Sequence, residues 1–347
     1  MDANLNKKTM KALVYHGPHL LAWEDWPIND PGFGEVLVKV RAVGICGSDI
    51  HGYTGESGRR IPPMVMGHEA VGEVIQLGAG VSPEWLHCRV IVQPFIACGA
   101  CRFCLEGRSN LCRERKFLGA NISGAMAEYL IVPASNLIIF PDSLDFQLGV
   151  LSEPLSVAIH GVTQAGDLSG LSVFIVGAGP IGLFTLIAAR KAGAESVIVS
   201  DLATKRLELA LRMGADVAIN PTKENIREKL FEMIKTQDAD LAFDAVGLPA
   251  TFTQALDILK PGGSLIAFGG WQTVPLDLGT LVTREIEIRG TFNFTLEEFK
   301  QAVSWLEKRV IDPAVFNVCT YPIEDGASVF EELSKNPEAA IKAVLTL

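Results

Sequence analysis

Up to about Pro154 the chain runs in short, β-branched apolar stretches separated by turn residues. These predict strands at Glu35–Val43, Ala70–Leu77, Arg89–Phe95 and Ala127–Val132, and a mostly β first half. From Ser172 the texture changes. Apolar runs at Ser172–Val176, Ser196–Ser200, Asp216–Ile219, Asp240–Ala245, Ser264–Phe268 and Glu285–Arg289 alternate with helical spacing at Ile181–Lys191, Thr204–Met213, Glu224–Lys235 and Thr251–Leu259. Pro261-Gly262-Gly263 closes the last of these helices. Regular alternation of strand and helix is the pattern of βαβ units, and six such strands make a full doubly wound parallel sheet, an α/β architecture. A further helix is predicted at Leu296–Lys308, followed by a mixed tail; no internal repeat is visible.

One stretch tests this pattern. Leu168 to Ala189 carries no charge and on length alone would span a membrane. Gly170, Gly177, Gly179, Pro180 and Gly182 break it into a strand, a turn and a helix, so a buried βα unit is expected instead.

The 347 residues allow two domains with a core each. Thirty Lys and Arg against forty Asp and Glu leave a net charge of -10, which repels a phosphate backbone and anionic lipid alike. No nucleic acid and no membrane are expected as partners; small-molecule chemistry is the default. The leading segment Met1–Met10 is polar and has no apolar stretch before a cleavage site, so a cytoplasmic protein is expected.

Four of the seven cysteines fall in one short segment, Cys98, Cys101, Cys104 and Cys112. In a reducing compartment such spacing offers four thiolates to one Zn²⁺, and four protein ligands leave no open position, so the site is expected to be structural. Cys88 and Cys319 have no spaced partner and read as core residues.

Gly177-Ala178-Gly179-Pro180-Ile181-Gly182 follows a predicted strand and opens a predicted helix. Gly177 makes the turn, Gly179 lets backbone amides approach a pyrophosphate, and Gly182 lets helix and strand pack closely. Asp201 closes the next strand, where a carboxylate accepts hydrogen bonds from ribose hydroxyls and repels a 2′-phosphate. NAD is therefore expected rather than NADP. Arg206 is the one nearby residue that could moderate that preference, and it is expected as an exposed helix residue over the adenine.

Before this half lie Gly44-Ile45-Cys46-Gly47-Ser48-Asp49-Ile50-His51 and Gly67-His68-Glu69. Cys46, His68 and Glu69 offer a thiolate, an imidazole and a carboxylate; three protein ligands and a water make the open zinc site a Lewis acid needs.

With Glu153-Pro154-Leu155-Ser156-Val157-Ala158-Ile159-His160 these motifs stand in an order that resembles the zinc-containing medium-chain alcohol and polyol dehydrogenases, nearest the sorbitol and threonine dehydrogenase branches. The resemblance covers nearly the whole chain. It implies a GroES-like β-rich catalytic domain over residues 1–156, interrupted by a Rossmann NAD-binding domain over 157–290, with 291–347 returning to the catalytic domain. Carried over, Cys46 and His68 bind the catalytic zinc, Glu69 binds it directly or through water, and Glu153 is a second carboxylate that can exchange with Glu69. Ser48 contacts the substrate oxygen and starts a proton path, and His51 is a base further out; a surface role for His51 stays open. The implied activity is reversible oxidation of a secondary alcohol, diol or polyol to a ketone with NAD and two zinc ions per chain. L-threonine 3-dehydrogenase is the alternative, and a non-catalytic dinucleotide-binding or structural protein of this fold a third reading. Asn293 stands where polyol enzymes carry an arginine soon after the phenylalanine, and Gly52 where they carry a tyrosine, which puts a long hexitol in doubt. Relatives pair through the last Rossmann strands, here Ser264 to Gly290, so a homo-oligomer is expected, a tetramer over a dimer.

Overall fold

The computed structural model describes residues 9–270, 272–274, 276–312 and 315–347. Most of the polar leading segment, residues 1–8, lies outside them. The chain divides into two compact units: one comprises the chain up to Glu153 with returning stretches that begin at Phe299 and at Asn317, the other Pro154–Glu298 with Phe316.

The first unit is built on a seven-stranded sheet. Its long strand Glu35–Ile45 pairs antiparallel with Glu69–Leu77 on one side and with Lys342–Thr346 on the other, and Tyr129–Pro133 also pairs with it. The strand buries Val36, Val38, Val40 and Ala42 on one face, and Leu37 and Val43 show that it is covered on the other face over part of its length. The expected strand Arg89–Phe95 divides into Arg89–Val92 and Phe95–Ile96, the second pairing with Lys116–Phe117. Pro94 lies at the break: it has no N–H to give the ladder, and its carbonyl accepts from Leu118 instead.

The second unit holds a six-stranded sheet in the order Val217–Ile219, Ser196–Ser200, Ser172–Val176, Ala239–Asp244, Leu259–Ala267, Glu287–Gly290. All its pairings are parallel. This is the doubly wound order in which the chain returns to the sheet's middle and then builds outward the other way. Ser172–Val176 sits centrally, with Val173, Phe174 and Ile175 fully buried, which explains its unbroken apolar run. Helix Pro180–Lys191 follows, burying Leu183, Phe184 and Leu186, and Arg190 and Lys191 in its last turn suit the negative end of the helix dipole. The uncharged stretch is thus strand, turn and helix, and no described helix is long and apolar enough to cross a membrane.

One expected helix end is corrected. The helix runs Pro249–Asp257, and Leu259 already pairs with Ala239, so Pro261-Gly262-Gly263 lies inside the strand Leu259–Ala267. The register jumps from Leu259 to Ser264 while the partner advances from Ala239 to Leu241. The Pro-Gly-Gly segment is therefore a bulge that stops a helix from crossing it and lets the strand resume.

Candidate active site

Three neighbouring strands bring their ends to one place in the first unit. Cys46 directly follows Glu35–Ile45, His68 directly precedes Glu69–Leu77 with Glu69 opposite Gly44, and Lys342 opens the strand whose Ala343 faces Ile45. The ligand atoms of Cys46, His68 and Glu69 all lie within 4.8 Å of one another. His68 and Glu69 are buried, and among the described residues Glu69 Oε1 has no hydrogen-bond partner. A buried carboxylate oxygen left bare beside a thiol and an imidazole is costly unless a cation faces it, so these residues fit a zinc ion.

The surroundings hold this group from behind. Asp49, fully buried, accepts from the Cys46 amide at 3.0 Å and lies 3.5 Å from His68 Nδ1. Burial alone would raise the Asp49 carboxyl, but His68, Arg60 and the Cys46 amide hold it well below the usual carboxylate range. Phe117 tilts against the His68 ring at 5.2 Å. Lys342, also buried, forms an ion pair with Glu69 and donates to the Ile45 carbonyl at 3.1 Å. Glu153 is buried within electrostatic reach of His68, Glu69 and Lys342 but stands outside the three-ligand group. Burial, reinforced by Glu69 and Asp49 against the opposing charges of His68 and Lys342, pushes Glu153 up to about 7.

Ser48 lies in the first turn of the short helix Gly47–Tyr53, two residues from Cys46. His51, in the same helix, is exposed, and its Nδ1 is hydrogen-bonded to Glu56 at 2.7 Å; it does not join the ligand group. Arg60 and Lys342 had no sequence signal, because neither belongs to a motif.

The four lobe cysteines converge as well. Their Sγ atoms lie 3.5 Å apart for Cys101 and Cys104, 3.5 Å for Cys112 and Cys98, and 3.9 Å for Cys98 and Cys104. A tetrahedron with Zn–S bonds of about 2.3 Å has edges of about 3.8 Å, so the thiols are spaced for zinc, and all seven cysteines are free of disulfides. Backbone amides of Ala100 and Cys101 directed at Cys98 lower that thiol to about 7.

In the second unit the glycine loop sits where the strand Ser172–Val176 ends. Gly177 has φ of 95°, and a Cβ there would lie 2.5 Å from Val246 Cγ2; one on Gly182 would overlap the Gly177 carbonyl. Gly179 is open to space and caps the helix whose first residue is Pro180, followed by Ile181. Asp201 stands just past its strand, accepting from the Ala178 amide at 2.7 Å and from Ala203 at 2.8 Å. The carboxylate is thereby fixed against the loop with lone pairs left for two more donors. Arg206 is a correction: it is half-buried, not exposed, because its guanidinium turns in to Asp201 at 3.9 Å.

Comparison with known proteins agrees with this geometry. Residues 32–142 match the alcohol dehydrogenase GroES-like domain, and residues 180–308 match the zinc-binding dehydrogenase domain. The sorbitol dehydrogenase of Bacillus subtilis is 33% identical over 344 residues, 97% of each chain. An L-threonine 3-dehydrogenase of Aeromonas hydrophila is 34% identical over 93% of this chain and 96% of its own. Among solved structures, an alcohol dehydrogenase of Escherichia coli CFT073 complexed with NADH superposes with a TM-score of 0.90 at 29% identity, over 98% of this chain and 100% of that one.

Proposed function

The chain belongs to the zinc-binding dehydrogenases that carry a GroES-like domain, and from that membership we propose that it oxidises a secondary alcohol, diol or polyol to the ketone with NAD, and runs the reverse reaction. The observation that carries this reading is the convergence of half-buried Cys46 with buried His68 and Glu69. Bound zinc supplies a Lewis acid that eases loss of the substrate's hydroxyl proton, and NAD supplies the hydride acceptor.

The chain's own residues do the rest. Cys46, His68 and Glu69 hold the metal, with Glu153 in reserve as a second carboxylate. Ser48 Oγ takes the hydroxyl proton while releasing its own, and His51, paired with Glu56, receives it further out. Gly177, Gly179 and Gly182 let the backbone and the start of helix Pro180–Lys191 meet the pyrophosphate, and Asp201 accepts from the ribose. The four lobe cysteines hold a second, structural zinc, which suits a reducing compartment such as the cytoplasm.

The second reading is L-threonine 3-dehydrogenase, supported by the 34% identity to the Aeromonas hydrophila enzyme, and Asn293 speaks only against a long hexitol. The edge strand Glu287–Gly290 pairs only with Leu259–Ala267 among the described residues, and we place the subunit contact of a homotetramer along it; sedimentation gives the mass. Function is tested by following NAD reduction on zinc-loaded protein over polyols, vicinal diols, simple secondary alcohols and threonine. Turnover of the polyols, diols or secondary alcohols supports the main reading, threonine alone the second, and none of them removes both.

A further inference from the structure

We propose that Arg60 is a positioning residue for the metal site, and that Gly52 is glycine so that Arg60 can reach it. The inference rests on the assignment of Cys46 and His68 as metal ligands. Arg60 is almost wholly buried, with a side-chain exposure of 4%, and its guanidinium makes two directed bonds. Nη1 donates to the Ser48 carbonyl at 2.7 Å, and Nη2 donates to Asp49 Oδ1 at 2.7 Å. The same carboxylate accepts from the Cys46 amide through Oδ2 and stands 3.5 Å from His68 Nδ1 through Oδ1. One planar, always charged fork thus ties the backbone of Ser48 to the carboxylate that stands behind both Cys46 and His68.

The path of that side chain crosses Gly52. A Cβ at Gly52 would overlap Arg60 Nη1 and lie 2.5 Å from Cδ and 2.7 Å from Cζ. The glycine sits within helix Gly47–Tyr53 and has no positive φ, so the backbone there does not call for glycine, and alanine is the better helix former. Space for the guanidinium is what the position supplies. Without Arg60, Asp49 Oδ1 would lose its hydrogen bond and face His68 Nδ1 alone, leaving the fully buried carboxylate freer to turn behind the ligands.

The test is a double-mutant cycle on Gly52→Ala and Arg60→Ala, with Arg60→Lys as the conservative variant. Two readouts report on the site itself: the ligand-field spectrum of the cobalt-substituted protein and the rate at which a chelator removes the catalytic zinc. Partners behind metal ligands change metal affinity by roughly 10- to 100-fold, so Arg60→Ala and Gly52→Ala should each shift the cobalt bands and speed zinc loss within that range. Arg60→Lys, which can keep one of the two bonds, should fall between. Gly52→Ala should add nothing further once residue 60 is alanine, because its methyl group then has room. NAD affinity should stay unchanged throughout. The proposal is overturned if the variants melt lower yet keep the parent spectrum and rate of zinc loss, or if the two single effects simply add. Failure of the Cys46 and His68 assignment would look different: the parent protein would bind a single metal ion per chain, held by the lobe cysteines, with none released by brief chelation.

Discussion

Lys342 and Glu69 form an ion pair in which both side chains are out of contact with solvent, and Glu69 is at the same time a member of the candidate metal group. Glu69 therefore has a cation behind it whether or not it also faces zinc. Removing one partner of a buried pair costs about 3 to 5 kcal/mol, because the other charge is left bare. Lys342→Met should thus destabilise the metal-free protein by that order and the zinc-loaded protein by clearly less, since zinc then offsets Glu69. Thermal melts of both forms check this. Equal losses in the two forms would mean that Glu69 does not face the metal.

The two sets of metal ligands should differ in lability. Four thiols spaced for a closed tetrahedron leave no entry for a competing ligand, whereas the group of Cys46, His68 and Glu69 keeps a position open. Brief chelation should remove one zinc per chain and abolish activity while circular dichroism stays unchanged. Simultaneous loss of both metals, followed by elemental analysis, would contradict the division.

Asp201 is fixed by two backbone amides, so replacing it disturbs both the ribose contact and the loop. Asp201→Asn removes the charge and keeps an acceptor. It should raise kcat/KM for NADP while weakening NAD less than Asp201→Ala does, the latter by about ten- to hundredfold for a lost charge-assisted bond. Initial rates with both coenzymes decide it; a parent enzyme that already prefers NADP would remove Asp201 from coenzyme selection.

Tyr53, in the Ser48 helix, donates to Glu331 Oε2 at 2.7 Å. Lys335 first and Tyr53 second pull Glu331 down to about 2, while burial and then Glu331 push Tyr53 up to about 12. A depressed carboxyl gives stability above its unfolded pKa near 4.3, lost as pH falls towards 2. A raised phenol gives stability below its unfolded pKa near 10, lost as pH rises towards 12. The melting gap between the parent and Tyr53→Phe should be widest near neutrality and narrow at both extremes. A gap independent of pH would show that the bond does not couple to folding.

What the sequence disclosed divides along the length over which a signal acts. The glycine loop, Asp201 and the lobe cysteines are local patterns in which spacing alone sets geometry, and the structure brings each set together as read. The helix end at Asp257 was hidden because Pro261-Gly262-Gly263 serves equally as a helix stop and as a strand bulge, and only pairing with Ala239 selects the bulge. Arg60 and Lys342 were silent for another reason. A basic residue outside any motif reads as surface charge in sequence, and Lys342 meets the Ile45 carbonyl across 297 positions. Arg206 follows the same rule: its helix position reads as exposed, and the approach to Asp201 turns its guanidinium inward.

The central claim is that Cys46, His68 and Glu69 hold the zinc on which NAD-dependent oxidation depends and that Ser48 acts on the proton. The most direct measurement is zinc content beside turnover in Cys46→Ala and Ser48→Ala. Cys46→Ala should keep only the structural zinc and lose activity, while Ser48→Ala should keep both zinc ions and lose about 10² to 10⁴ in alcohol oxidation. Full activity in a Cys46→Ala protein that has lost its second zinc would contradict the account.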